Sequence, residues 1–98
     1  MDFKIVWTFR AREDLRDLAA FIAKDNPPAA IKLGELIFGR VEALEKFPEI
    51  GRIVPERGQP DIWEIVVNPY RIVYRFRKRE SLVEILRVWH GARGEPEI

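Results

Sequence analysis

Between residues 70 and 77 the chain alternates, with Tyr70, Ile72, Tyr74 and Phe76 interleaved with Arg71, Val73, Arg75 and Arg77. Successive side chains of a strand point to opposite sides, so this segment has one apolar face and one face dominated by arginine. A strand of this kind needs apolar cover on one side only, the pattern of an antiparallel sheet packed on a single layer. Ile62–Val67 and Leu82–His90 are similarly rich in Val, Ile, Leu and Trp. Asn68-Pro69 and Lys78–Ser81 separate the three runs, which predicts a three-stranded antiparallel meander.

The apolar cover has to come from upstream. Phe3, Ile5 and Trp7 alternate with Asp2, Lys4, Val6 and Thr8 and read as a first strand. From about Phe9 to Lys24 the period lengthens: Ala11, Leu15, Leu18 and Ile22 form one helical stripe, with Phe21 beside it. Asp25-Asn26-Pro27-Pro28 ends that helix and starts another, because Asn26 caps and Pro27 takes the first helical position, where a missing N–H costs nothing. The second helix is expected to reach about Lys46, with Ala30, Leu33, Ile37, Val41 and Leu44 as its stripe. The short break predicts an antiparallel helix hairpin. Gly34 and Gly39 inside the second helix each cost about 1 kcal/mol relative to alanine, so close packing against a neighbour is expected there. Phe47–Asp61 holds Pro48, Gly51, Pro55, Gly58 and Pro60 and reads as a loop, anchored by Phe47, Ile50 and Val54. The resulting fold class is α+β: an N-terminal strand, a helix hairpin over residues 9–46 and the meander, giving a four-stranded, mainly antiparallel sheet in a thin two-layer domain. The arginine face is left exposed or covered by a partner.

At 98 residues with 47% hydrophobic content, residues 1–98 make one globular domain and not a disordered chain. The absence of cysteine excludes disulfides, thiolate catalysis and cysteine-ligated zinc, and one histidine without an acidic cluster argues against a metal site. No cofactor is expected. No apolar run suits a signal peptide or a membrane span, so a cytoplasmic protein without membrane contact is expected. The net charge of +1 hides a polarity: Pro69–Arg93 carries seven basic and two acidic residues, a local +5 that leaves −4 elsewhere. Arginine's planar fork suits phosphates and carboxylates, so this segment could face nucleic acid or an acidic protein.

Two stretches, Asn68-Pro69-Tyr70-Arg71-Ile72-Val73-Tyr74-Arg75 and Ile85-Leu86-Arg87-Val88-Trp89-His90-Gly91-Ala92-Arg93, together with the order of elements, resemble the RelE/ParE toxin superfamily. Trp7-Thr8-Phe9-Arg10-Ala11 and Phe47-Pro48-Glu49-Ile50-Gly51-Arg52 are similar to its ParE-type, plasmid-stabilisation members. The resemblance covers nearly the whole chain. It implies the toxin of a bacterial type II toxin–antitoxin pair, held inactive in a hetero-oligomer by a cognate antitoxin.

The superfamily divides by target. RelE-like members cut mRNA on the ribosome, whereas ParE-like members act on DNA gyrase without an established catalytic site. Cleavage through a 2′-hydroxyl needs a base, cations around the phosphate and an acid, roles for which Glu64, Arg71, His90 and Arg93 have the right chemistry. Where the RelE branch carries lysines on the strand before, this chain has Ile62 and Glu64, which replaces attraction for phosphate by repulsion. The alternative for Arg71 is an ion pair with Glu64 across the sheet. Trp63 and Trp89 are expected in the core. The reading that results is a ParE-like toxin directed at gyrase, binding its target and antitoxin through Arg71, Arg75, Arg77, Arg87, Trp89, His90 and Arg93. A ribosome-dependent endoribonuclease is the alternative, and a non-toxic antitoxin-binding module is the third reading.

Overall fold

The computed structural model describes residues 2–98. Strand β1 (Lys4–Trp7) leads into helices α1 (Phe9–Ala23) and α2 (Pro27–Glu42), and strands β2 (Arg52–Ile53), β3 (Ile62–Val67), β4 (Tyr70–Arg77) and β5 (Leu82–His90) follow. The expected class holds, with one correction to the sheet. It has five strands in the order β1-β5-β4-β3-β2, because the breaker-rich loop contributes the two-residue β2. The position of β1, open from sequence, is beside β5 and parallel to it. The second helix also stops earlier than expected, giving way at Ala43–Glu45 to a 3-10 turn.

Local chemistry explains these elements. Thr8 caps α1 by accepting the Ala11 N–H at 3.2 Å and donates its own hydroxyl to the Ile85 carbonyl at 2.8 Å, so one side chain starts the helix and fixes it to β5. Asn26 accepts the Ala29 N–H, with Pro27 and Pro28 in the first turn of α2 as expected. The helices then bury their stripes on one face of the sheet: Ala11, Ile37, Val41 and Leu44 meet Ile65, Val67, Ile72, Tyr74, Val83, Ile85 and Val88. Trp89 is buried and Trp63 packs at the edge of that core.

The opposite face is not left open. Val54, Ile62, Val73 and Leu86 form a second, smaller apolar cluster beneath the 54–61 loop. Pro96 of the tail is fully buried, and the Gly94 carbonyl accepts from Trp89 Nε1 at 3.1 Å. The two-layer expectation is therefore corrected to three: the helix hairpin, the sheet, and a cover made of loop and tail. Within the loop Val54 is an anchor as expected, whereas Phe47 and Ile50 are exposed.

Candidate functional site

Glu64 on β3 is almost wholly buried, on the face covered by the loop. Two guanidinium groups meet it there, Arg71 Nε at 2.6 Å and Arg52 Nε at 2.8 Å, the pairing that a buried carboxyl side chain needs. The cross-sheet pair between Arg71 and Glu64 is thus present. The rest of the Arg71 fork is also occupied: Nη2 donates to Glu56 Oε1 at 2.7 Å, and Nη1 to Glu56 Oε2 at 2.9 Å and to the Gly94 carbonyl at 3.2 Å. These bonds raise the pKa of Arg71 further, first through Glu56 and then Glu64. In return, the hydrogen bond from Arg71 lowers Glu56 from 4.5 to about 2.

His90 stands on the other side of the sheet. It pairs with Tyr70 in the β4–β5 ladder, whereas Arg71 pairs with Trp89, and alternation sends these two pairs to opposite faces. The His90 ring packs edge-on to Tyr70, with centroids 5.3 Å apart, and its Nδ1 accepts the Ala92 N–H at 3.0 Å. With Asp14, Asp17, Leu18, Phe21, Val88 and Arg93 it lines a concavity of about 480 Å³ on the hairpin side. Arg93 lies at the end of the strand with its guanidinium 4.0 Å from the centre of the Trp89 ring. Of the four residues with nuclease chemistry, the fold therefore joins Arg71 to Glu64 and separates both from His90.

The other arginines are largely occupied. Arg87 is buried and not exposed on the last strand: Asp14 Oδ2 accepts its Nε at 2.7 Å, and the Glu97 carbonyl accepts Nη1 at 2.8 Å. The same Asp14 oxygen accepts the Val88 N–H at 3.0 Å, which covers the edge of β5 beyond the last β1 partner, Ile85. Arg75 faces Asp61 at 3.3 Å, and Arg77 bonds Glu84, which raises its pKa. The basic strand is thus neutralised from within, and the expectation of an open arginine face does not hold. Sequence reasoning missed Glu56, Arg52 and Asp14 as partners. Arg52 closes the Phe47–Arg52 motif, but nothing local marks Glu56 or Asp14.

A family model described as the ParE toxin of the type II toxin–antitoxin system parDE matches residues 5–94. The chain belongs to the ParE toxin family. Its relatives include a putative toxin, Y4kP, of Sinorhizobium fredii, 35% identical over 97% of this chain and 95% of that one. Toxin RelE2 of Caulobacter vibrioides is 31% identical over 92% of this chain and 97% of its own length. Among solved structures, a chain of the chromosomal ParDE system of P. aeruginosa superposes with a TM-score of 0.74 at 21% identity, covering 90% of this chain and 95% of that one. One from the RelBE2 toxin–antitoxin complex of Mycobacterium tuberculosis gives 0.62 at 26% identity, covering 92% and 99%. The chain is accordingly a type II toxin, and toxins of its fold have been solved with their antitoxins.

A second feature of this ParE-family chain lies where β1 meets the hairpin. Trp7, Arg12, Leu15, Arg16, Ala19, Gly34 and Phe38 line a groove of about 640 Å³, in which the Trp7 and Phe38 rings stand 5.2 Å apart. A Cβ added at Gly34 would meet nothing within 4 Å. The same holds at Gly39, so the close packing expected at both glycines is not found among the described residues. Among the described residues no group of three or more His, Asp or Glu is arranged to hold a metal, and no helix is long and apolar enough to cross a membrane.

Proposed function

We propose that this toxin acts by contact with its target, inhibiting DNA gyrase in the cytoplasm, and that it is not an mRNA endoribonuclease. The observation that carries this reading is the division of Arg71–Glu64 and His90 between the two faces of the sheet. A base, a phosphate clamp and an acid have to converge within hydrogen-bond reach of one phosphodiester. Here Arg71, the natural clamp, has its fork filled by two carboxylates. An incoming phosphate would have to displace Glu56 while Glu64 repelled it.

The antitoxin reading follows from the groove. A glycine at its floor, apolar walls and the Arg12 and Arg16 rim suit an amphipathic helix with an acidic flank. Arg93, stacked on the buried Trp89 at one end of the β4–β5 ladder, and the ion-paired Arg75 and Arg77 toward the other end are two separate further contacts for the antitoxin.

The test is induced expression in a bacterial host, followed by incubation of the purified toxin with gyrase and, separately, with programmed ribosomes. The expected result is DNA damage with an SOS response, loss of supercoiling activity and intact mRNA. Cleavage of mRNA in the ribosomal A site, abolished in His90→Ala, would overturn the reading.

A further inference from the structure

The Phe47–Arg52 segment is tied to the sheet at several points and yet displays apolar side chains. The Tyr74 hydroxyl donates to the Pro48 carbonyl at 2.6 Å, and burial pushes the Tyr74 phenol pKa upward, so it remains a donor. Gly51 passes so close to β3 that a Cβ would lie 2.3 Å from the Glu64 carbonyl oxygen and 2.7 Å from the Tyr74 hydroxyl. Arg52 is bonded to Glu64, and Val54 is buried. Between these fixed points Phe47 and Ile50 remain 63% and 61% exposed, and Val66 on the neighbouring strand 46%. These three large apolar residues belong to neither buried cluster and line adjoining concavities, which is the mark of a binding surface.

The sheet edge here is unfinished. Arg52 pairs with Glu64 and Ile53 with Trp63, a register that would set Ile50 opposite Val66. Instead the chain turns away, with the Ile50 N–H bonded to the Phe47 carbonyl. The Val54 N–H bonds the Ile62 carbonyl on this edge, and strand alternation turns the Val66 N–H and C=O the same way, where β2 no longer reaches. A concavity of about 350 Å³ lined by Arg40, Ala43, Ile50, Ile65 and Val66 occupies that place. Lys46, Phe47 and Glu49 line a second concavity with the same Ile50. Arg40 and Lys46 pair with no carboxylate among the described residues and Arg52 is only partly offset by its bond to Glu64, while Glu49, which lines the second concavity, and Glu42, between Arg40 and Lys46 in sequence, are exposed opposing charges.

We propose that this surface is where the toxin grips its target: an extended, acidic segment of the target protein lies along the open edge at Val66, with an apolar side chain between Phe47 and Ile50 and its carboxylates toward Arg40 and Lys46. The commitment to an acidic ligand comes from the unpaired cations. The commitment to an extended one comes from the edge, whose free backbone groups an added strand satisfies. This inference rests on the reading that the toxin acts by contact. It also separates the target surface from the hairpin groove, which is lined by Trp7 of β1 with α1 and α2.

The test is the double variant Phe47→Ser/Ile50→Ser, with Arg40→Glu/Lys46→Glu as its electrostatic counterpart, each assayed for folding, capture by the cognate antitoxin, gyrase inhibition and toxicity on expression. The substituted side chains of the first variant are exposed, so its melting temperature should match the unaltered toxin. Gyrase inhibition and toxicity should weaken on the order of thirtyfold, as for loss of an interface hot spot, while antitoxin capture is retained. The charge variant should weaken inhibition most at low salt. Full toxicity in the double variant overturns the proposal, and so does loss of antitoxin capture, which would give the surface to the antitoxin. If the unaltered toxin spares gyrase but the double variant still loses toxicity, the choice of gyrase fails and the surface stands. Should the double variant misfold, the charge variant decides: unchanged inhibition in it at low salt overturns the proposal.

Discussion

Arg71 holds Glu56 in a two-pronged clasp, Nη2 to Oε1 at 2.7 Å and Nη1 to Oε2 at 2.9 Å. The clasp depresses the Glu56 pKa from 4.5 to about 2. A depressed carboxyl pKa contributes stability that is fully present above the unfolded value and is lost as pH falls toward the folded one. The toxin should therefore lose stability on acidification between about pH 4.5 and about pH 2. Glu56→Gln should flatten that part of the profile in denaturant titrations across pH and cost at most about 1 kcal/mol at neutral pH, since the pair is partly solvated.

Gly51→Ala should be among the most damaging single-methyl changes in the chain. The new Cβ would meet backbone, the Glu64 carbonyl oxygen, and the buried Tyr74 hydroxyl, neither of which can swing aside. A loss of about 3 kcal/mol is expected, at the upper end for overpacking, and thermal denaturation measures it.

The two helical glycines should behave in the opposite way. Nothing lies within 4 Å of a Cβ at Gly34, so Gly34→Ala should raise stability by about 1 kcal/mol. Gly34→Leu, which fills the groove floor, should leave the fold intact and reduce antitoxin affinity in a titration. Unchanged affinity would remove the antitoxin from that groove.

Asp14→Ala should cost about 3–5 kcal/mol, because it strands the buried Arg87 guanidinium and leaves the Val88 N–H without an acceptor. Asp14→Asn keeps an acceptor for Val88 but not the charge, so chemical denaturation should place it between the two.

Much of this fold was legible because its signals are local. The alternation of Phe3, Ile5 and Trp7, the stripe Leu33, Ile37, Val41 and Leu44, and the Asn26-Pro27 start each need only a few neighbouring residues to be read. The partners that neutralise the arginines are distant: Asp14 is 73 residues from Arg87, and Glu56 is 15 from Arg71. A charge count over Pro69–Arg93 is blind to both, which is why that segment read as an open basic face. Phe47 and Ile50 depart in the other direction: apolar character in a loop predicts an anchor, yet both side chains are exposed. The pairing of Arg71 with Glu64 was foreseeable because β3 and β4 are consecutive strands with a short connection.

The parallel pairing of Lys4–Trp7 with Leu82–Ile85 ties the start of the chain to almost its end. During synthesis β1 has no partner until β5 has been made, and α1, whose cap Thr8 bonds to Ile85, has no sheet to settle on. Closing so long a loop is the kind of step that comes late in folding. A nascent toxin thus stays without its finished architecture until nearly the whole chain has been made.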